Sequence, residues 1–327
     1  MTKFLAYIVF LGSFLSVMPS PLSDLGPRFN RILSMVKGIR PNPKVVADVG
    51  CDHGLLSGRI AHWDSVKYVI GSDVSTSAAK GALAHYESLE KPHRDKLELL
   101  IGDGLNPLVD KGVTNCDALI LSGMGVRSVF NILSMPSNDG ARANNLVSSD
   151  DFWADSKGIN TPLLDSLGIT DIIVQPWPPN FLPLQSLFSC MLQEGQWDFK
   201  AQGVDYLNGY HHVTTHLQRT KYEGGGKSGI QNPANKSTLH IASNPLYKQC
   251  HGVSARKDTV SADWRDYLMV QGKSLLQKKK GLAARKQNRG NSEKAEMAAL
   301  AKLRRAIPDF NLDEVIGLLD DHIESMK

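Results

Sequence analysis

The residues with most chemical potential are gathered in Asp48-Val49-Gly50-Cys51-Asp52-His53-Gly54, with Asp73 further along the chain. Glycines after a strand let the backbone come close to a nucleotide-like ligand, because no Cβ stands in the way. A carboxylate at the end of the next strand can accept both hydroxyls of a ribose. Together these features suit a dinucleotide or S-adenosylmethionine; the competing reading is a plain strand-turn-helix corner with surface carboxylates. Three observations favour S-adenosylmethionine. The loop lacks GxGxxG, since Asp52 stands where pyrophosphate would need backbone clearance. Carboxylates suit a cationic sulfonium better than a pyrophosphate. The third is an antiparallel hairpin expected at the end of the sheet.

That expectation comes from the elements that must position these residues. Residues 25–40 place Phe29, Ile32, Leu33 and Val36 at helical spacing. Val45-Val46-Ala47 reads as a short buried strand closed by Asp48-Val49-Gly50, and a helix follows from about Gly54. Tyr68–Asp73 is a second strand, and Ser75–Leu89 an Ala-rich helix capped by Ser75 or Thr76. Leu97–Ile101, ended by Gly102-Asp103-Gly104, is a third strand, and Asp117–Ser122, ended by Gly123-Met124-Gly125, a fourth. Ile172–Val174 is a fifth, followed by Gln175-Pro176 and a helix over Leu182–Leu192. Trp197–Val204 and Tyr210–Leu217 read as paired strands joined through Asp205–Gly209, whose Asn-Gly pair is a turn signal. Strands alternating with helices predict an α/β, Rossmann-like doubly wound sheet, with its ligand at the C-terminal strand ends.

Composition agrees. The 327 residues are 42% hydrophobic and 21% charged, ordinary globular usage that excludes global disorder. Four scattered cysteines, none in CxxC spacing, offer neither a disulfide scaffold nor a zinc site, so no metal is expected. The net charge of +4 conceals an asymmetry: residues 1–217 carry 17 basic and 21 acidic side chains, and residues 218–327 carry 20 and 12. An acidic body with a basic tail suits chemistry in one part and a polyanion grip in the other; the bland alternative is a solvated pair of charged helices. The basic run comprises Lys273, Lys278, Lys279, Lys280, Arg285, Lys286 and Arg289, then Lys302, Arg304 and Arg305. Arg28 and Arg31 are further candidates for phosphate contact. Trp264, Leu268, Gln271, Leu275 and Leu282 form one helical stripe, and residues 297–307 another. They predict a coiled-coil-like α-helical hairpin over 259–327. The expected organisation is a targeting segment (1–23), a catalytic domain (24–217, with a polar insertion at 134–168), a linker (218–258) and this hairpin.

VVADVGCDHGLL (45–56), IGDGL (101–105), SGMG (122–125) and IVQP (173–176) resemble the bacterial tRNA (adenine(22)-N1)-methyltransferase family, as does the approach segment LGPRFNRILSMV. The resemblance spans roughly residues 25–217 and 260–306. It implies S-adenosylmethionine held by Asp48, Gly50, Asp52, Gly54, Asp73, Asp103 and Gly104, and His53, inside the same loop, is a further cofactor-site candidate. It implies an active-site loop at Gly123, Met124 and Gly125 with Gln175 and Pro176 nearby, and tRNA as the partner. The chain departs from the family pattern at Val126, which stands at a usual glycine, and at Trp177, which stands at a usual asparagine. Val126 is expected to narrow the target-base pocket, and Trp177 to replace a hydrogen bond with stacking.

Methylation of adenine N1 needs no strong base, because the ring nitrogen offers a lone pair at neutral pH, so positioning carries the catalysis. The product base is cationic, which assigns Asp52 to stabilising the developing charge. A paired N1 is inaccessible, so the target base must be unpaired or flipped out. His53 either donates to substrate or orients the loop, the alternative being a structural histidine bonded to backbone, and Cys51 reads as a small buried hydrophobe. The alternatives are a small-molecule or other RNA methyltransferase on the same fold, and a non-catalytic RNA-binding relative.

Lys3 and the apolar run Phe4–Val17 resemble a secretory signal, too short for the roughly 20 residues of a membrane span. No stable membrane insertion is expected after targeting. On a tRNA-modifying enzyme such a start points to an organelle with bacterial-type tRNA, a plastid or a mitochondrion; the alternative is a cytoplasmic protein with a mispredicted start. A fluorescent reporter fused to residues 1–40 is expected to enter an organelle, and diffuse cytoplasmic fluorescence would refute the targeting reading.

Overall fold

The computed structural model describes residues 25–135, 159–180 and 197–220, with parts of 183–191 and 266–277. The segment expected to target (1–23), the centre of the expected insertion and most of the expected linker lie outside the described residues. So do Lys278, Lys279, Lys280, Arg285, Lys286, Arg289 and the second helix of the hairpin.

The described chain begins with α1 (Pro27–Gly38) and β1 (Val45–Val49), then α2 (Leu55–Ala61), β2 (Tyr68–Asp73), α3 (Thr76–Ser88), a short α4 (Lys91–Arg94) and β3 (Leu97–Ile101). It continues through α5 (Asn106–Asp110), β4 (Ala118–Ser122), α6 (Val126–Leu133), α7 (Thr161–Ser166), β5 (Asp171–Gln175), β6 (Trp197–Leu207) and β7 (Tyr210–Arg219). The strands form one seven-stranded sheet in the order β3-β2-β1-β4-β5-β7-β6. β1 to β5 pair in parallel, and β7 is antiparallel to both β5 and β6. The Rossmann-like sheet closed by an antiparallel hairpin therefore stands as the sequence predicts.

β1 and β5 are buried at every position, because helices cover both faces. The period of two divides β1 and β4 between the layers: Ala47, Val49, Leu119 and Leu121 join α6 and α7, while Val46, Ala118 and Ile120 join α1 and α2. Ser75 caps α3 by accepting the Ala78 N–H, as expected.

Several boundaries differ from the sequence reading by a residue or two, as where β5 runs Asp171–Gln175 and β7 on to Arg219; three differences are larger. β1 runs on through Asp48-Val49. The 134–168 connection contains α7 at its end, capped by Asn160. The hairpin turn is only Asn208-Gly209, both at positive φ (53° and 84°), so Asp205, Tyr206 and Leu207 continue the strand. Two residues of positive φ match the twist of the flanking strands, and pairing then propagates to the turn.

Residues 266–277 include helical residues, and Tyr267 is the buried one among those described; Trp264, Leu268, Leu275 and Leu282 of the expected stripe lie outside the described residues. The Tyr267 hydroxyl donates to the Pro179 carbonyl at 2.9 Å. Lys273, the described member of the basic run, is exposed. Among the described residues no helix is long and apolar enough to cross a membrane.

Arg31 is committed inside the fold rather than to a phosphate. Its Nε and Nη2 donate to the two oxygens of the buried Asp205 at 3.1 and 2.7 Å, over Gly203, where a side chain would collide with the guanidinium. This bidentate pair ties α1 to β6. A double-mutant cycle of Arg31→Ala and Asp205→Ala, read by urea unfolding, is expected to show coupling of about 1 kcal/mol.

Candidate active site

The C-terminal ends of the parallel strands open onto one cleft of about 740 Å³. Asp48, Gly50, Asp52, His53, Asp73, Asp103, Gly104, Gly123 and Met124, all sequence candidates, line it. The cleft draws carboxylates from the ends of β1, β2 and β3 to one place, with a single arginine, Arg28, on its described wall.

The glycine loop is held from below. Gly50 is at φ 79°, and a side chain there would meet the Met124 methyl at 2.6 Å. The N–H groups of Gly50 and Cys51 donate to the Ser72 carbonyl, and the Asp52 N–H donates to Asp73 Oδ2 at 3.0 Å. Asp73 Oδ1 accepts the Ser75 N–H at 2.8 Å. Each Asp73 oxygen thus holds one backbone donor and keeps lone-pair capacity for a ligand hydroxyl. Gly54, at φ 68°, ends the loop and caps α2 without lining the cleft.

Asp48 is almost wholly buried and accepts the Ser57 hydroxyl at 2.6 Å. Burial pushes its carboxyl up to about 6, against the pull of the Ser57 hydrogen bonds. Burial also pushes the Cys51 thiol up, which suits the small-hydrophobe reading. Asp52 and His53 stand at the mouth, about two-thirds exposed, with His53 Nε2 3.8 Å from Asp52 Oδ1. The His53 ring lies over Gly81, a position that accepts it only because glycine has no side chain.

Gln175 and Pro176 are buried and do not line the cleft. Gln175 acts as a clamp instead. Its Oε1 accepts Arg28 Nε at 2.6 Å, and its Nε2 donates to the Arg28 carbonyl at 3.2 Å and to Thr214 Oγ1 at 2.6 Å. Arg28 therefore points over Gly123 into the cleft, rather than lying on an outer helix face as a phosphate contact would. Its burial lowers the guanidinium pKa from the ordinary value. Gly125 caps α6 and does not line the cleft, and Val126 packs into the core instead of narrowing a pocket. Trp177 ties the next loop to the site: its N–H donates to the Met124 carbonyl at 2.8 Å. Sequence reasoning missed Ser57, which reaches back nine residues across the glycine loop to Asp48, and the turning of Arg28 inward, which depends on Gln175, 147 residues along the chain. Among the described residues no group of three or more His, Cys, Asp or Glu is placed to hold a metal.

Residues 25–149 match a family model described as a methyltransferase domain. The architecture is Rossmann-like, and residues 25–149, which supply most of the cleft, are similar to that domain. A Mycoplasma genitalium protein named "Putative tRNA methyltransferase MG248" is 27% identical over 111 residues, 34% of this chain and 47% of that protein. A Mycoplasma pneumoniae counterpart is 27% identical over 114 residues, 34% of this chain and 48% of its own. The chain spans about half the length of these curated relatives. The B. subtilis M1A22 tRNA methyltransferase TrmK superposes with a TM-score of 0.57 at 14% identity, covering 92% of this chain and 99% of that one. M. capricolum TrmK with S-adenosyl-homocysteine gives 0.53 at 15% identity, covering 93% and 99%. At these identities the likeness establishes the fold.

The Asp48 carboxyl is raised above its unfolded value, so the stability it contributes is complete below about pH 4 and is lost as pH rises through about 6. Asp48→Asn is expected to flatten that part of the stability–pH curve, a difference of about 2–3 kcal/mol by urea unfolding at pH 4.5 and 7. A cation in the cleft favours the ionised form, so affinity for a cationic ligand is expected to rise across the same window.

Proposed function

We propose that this protein is an S-adenosylmethionine-dependent tRNA methyltransferase acting on N1 of an adenine, with position 22 the site by family likeness. The observation that carries the reading is the cleft itself: four carboxylates from three adjacent strand ends, backed by a glycine loop, in a methyltransferase domain. The donor set fits the cofactor. Asp73 retains acceptor capacity for ribose hydroxyls, and Asp48, Asp52 and Asp103 suit a positive charge. Arg28 offers a counter-charge for a carboxylate. The cofactor, when bound, supplies a methyl group activated by a sulfonium.

The chain's own residues then act by placement. Met124 and Gly123 form the wall between the cleft and the loop bearing Trp177, where the target base must enter. Asp52, exposed at the mouth, is free to approach the ring as N1 becomes cationic. Solvent screens so exposed a carboxylate, so its effect is modest. The basic segment beginning at Lys273 supports tRNA over a small metabolite, as it supplies the charge that grips a phosphate backbone. The signal-like N-terminus supports work inside an organelle that keeps bacterial-type tRNA.

The test is methyl transfer from labelled S-adenosylmethionine to bulk tRNA and to a metabolite extract, then to tRNA transcripts with each candidate adenine replaced in turn. Transfer to tRNA is expected, abolished by one replacement, with 1-methyladenosine in the digest. Asp52→Asn is expected to lower kcat by about 3- to 10-fold. Label appearing only in small metabolites would overturn the reading.

A further inference from the structure

We propose that Trp177, backed by His212 and edged by Tyr210, is the platform on which the unpaired target base stacks while it is methylated; this rests on the RNA methyltransferase reading above.

The platform is assembled from two elements that meet only in the fold. Trp177 follows β5, and its backbone N–H donates to the carbonyl of Met124, a lining residue of the cleft. Tyr210 and His212 lie two residues apart on β7, so they share one face of the hairpin. The same face carries Asp205, opposite His212, and hence Arg31 from α1. The indole stacks on the His212 imidazole, centroids 4.8 Å apart and planes 22° from parallel. Tyr210 meets the indole edge-on at 5.0 Å and 89°. Trp177 is partly exposed and Tyr210 is 58% exposed, so both rings are open to an incoming ligand.

A partly exposed three-ring stack against the wall of a methyl-donor cleft fits a flat aromatic substrate. A purine offers such a surface, and stacking tolerates any base, so selection of the atom is left to the depth of insertion. The charge of the product sharpens the choice. N1 gains a methyl group and the ring a positive charge, and an indole face attracts a cation more than a neutral ring. The contact therefore strengthens along the reaction, which is the condition for raising kcat rather than only lowering KM. His212 is suited to its place: burial and the neighbouring Arg28 guanidinium lower its pKa from the ordinary value. A neutral imidazole puts no positive charge beneath the forming cation.

The experiment uses the full chain with tRNA. Trp177→Ala is expected to lower kcat/KM by about 10- to 100-fold, chiefly in kcat, with S-adenosylmethionine affinity by calorimetry unchanged. Trp177→Phe should restore most of the loss, and Tyr210→Ala should cost several-fold. With 2-aminopurine at the target position, wild-type protein should quench the fluorescence and Trp177→Ala should not. Tyr210→Ala, altering a mostly exposed ring, gives a second reading should Trp177→Ala fail to fold. Wild-type turnover in Trp177→Ala, quenching that persists without the indole, or an unchanged Tyr210→Ala overturns the platform alone. A wild-type protein that binds cofactor but methylates no tRNA overturns the functional reading and the platform with it.

Discussion

Burial of the central strands on both faces constrains everything else in this molecule. β1 and β5 have no exposed residue, and helices close over the sheet from each side. Parallel strands covered in this way cannot place polar chemistry along their length. Their C-terminal ends are where carboxylates and open backbone can meet a ligand. Asp48, Asp73 and Asp103 gather there because each follows or ends a strand of the same parallel array. Adjacent strand order then brings residues distant in sequence into one cleft.

The cleft depends in turn on fastenings that are not themselves reactive. Asp73 holds the N–H groups of Asp52 and Ser75, so the glycine loop and the start of α3 share one carboxylate. Gln175 holds Arg28 by side chain and carbonyl while it grips Thr214, joining α1, β5 and β7. Arg31 and Asp205 repeat that joint further along α1. α1 is thus a wall of the site. The same fastenings place the aromatic face of β7 beside the loop that bears Met124.

Much of this was legible in the chain. Tyr68–Asp73 and Leu97–Ile101 are strands with the expected limits, Ser75 caps its helix, and most residues expected at the cofactor line one cleft. Local signals sufficed there, because strand alternation, caps and glycines act over a few residues. The side chains of Gln175, Arg28 and Arg31 were misplaced for the opposite reason. Their partners lie 147 residues away for Arg28–Gln175 and 174 for Arg31–Asp205, and a charged side chain before a strand looks alike whether it faces solvent or a buried acceptor.

The sequence by itself determined the class of fold, the carboxylate set and its preference for a cationic ligand, since residue type and short-range spacing carry those properties. Tertiary structure alone decided which arginine enters the cleft, that Gln175 serves as a clamp, that Val126 belongs to the core and that Tyr267 anchors the start of the basic segment. It also decided that Trp177, His212 and Tyr210 meet. Those outcomes depend on which distant groups burial brings together, and a buried polar side chain must take whatever partner lies within hydrogen-bond reach.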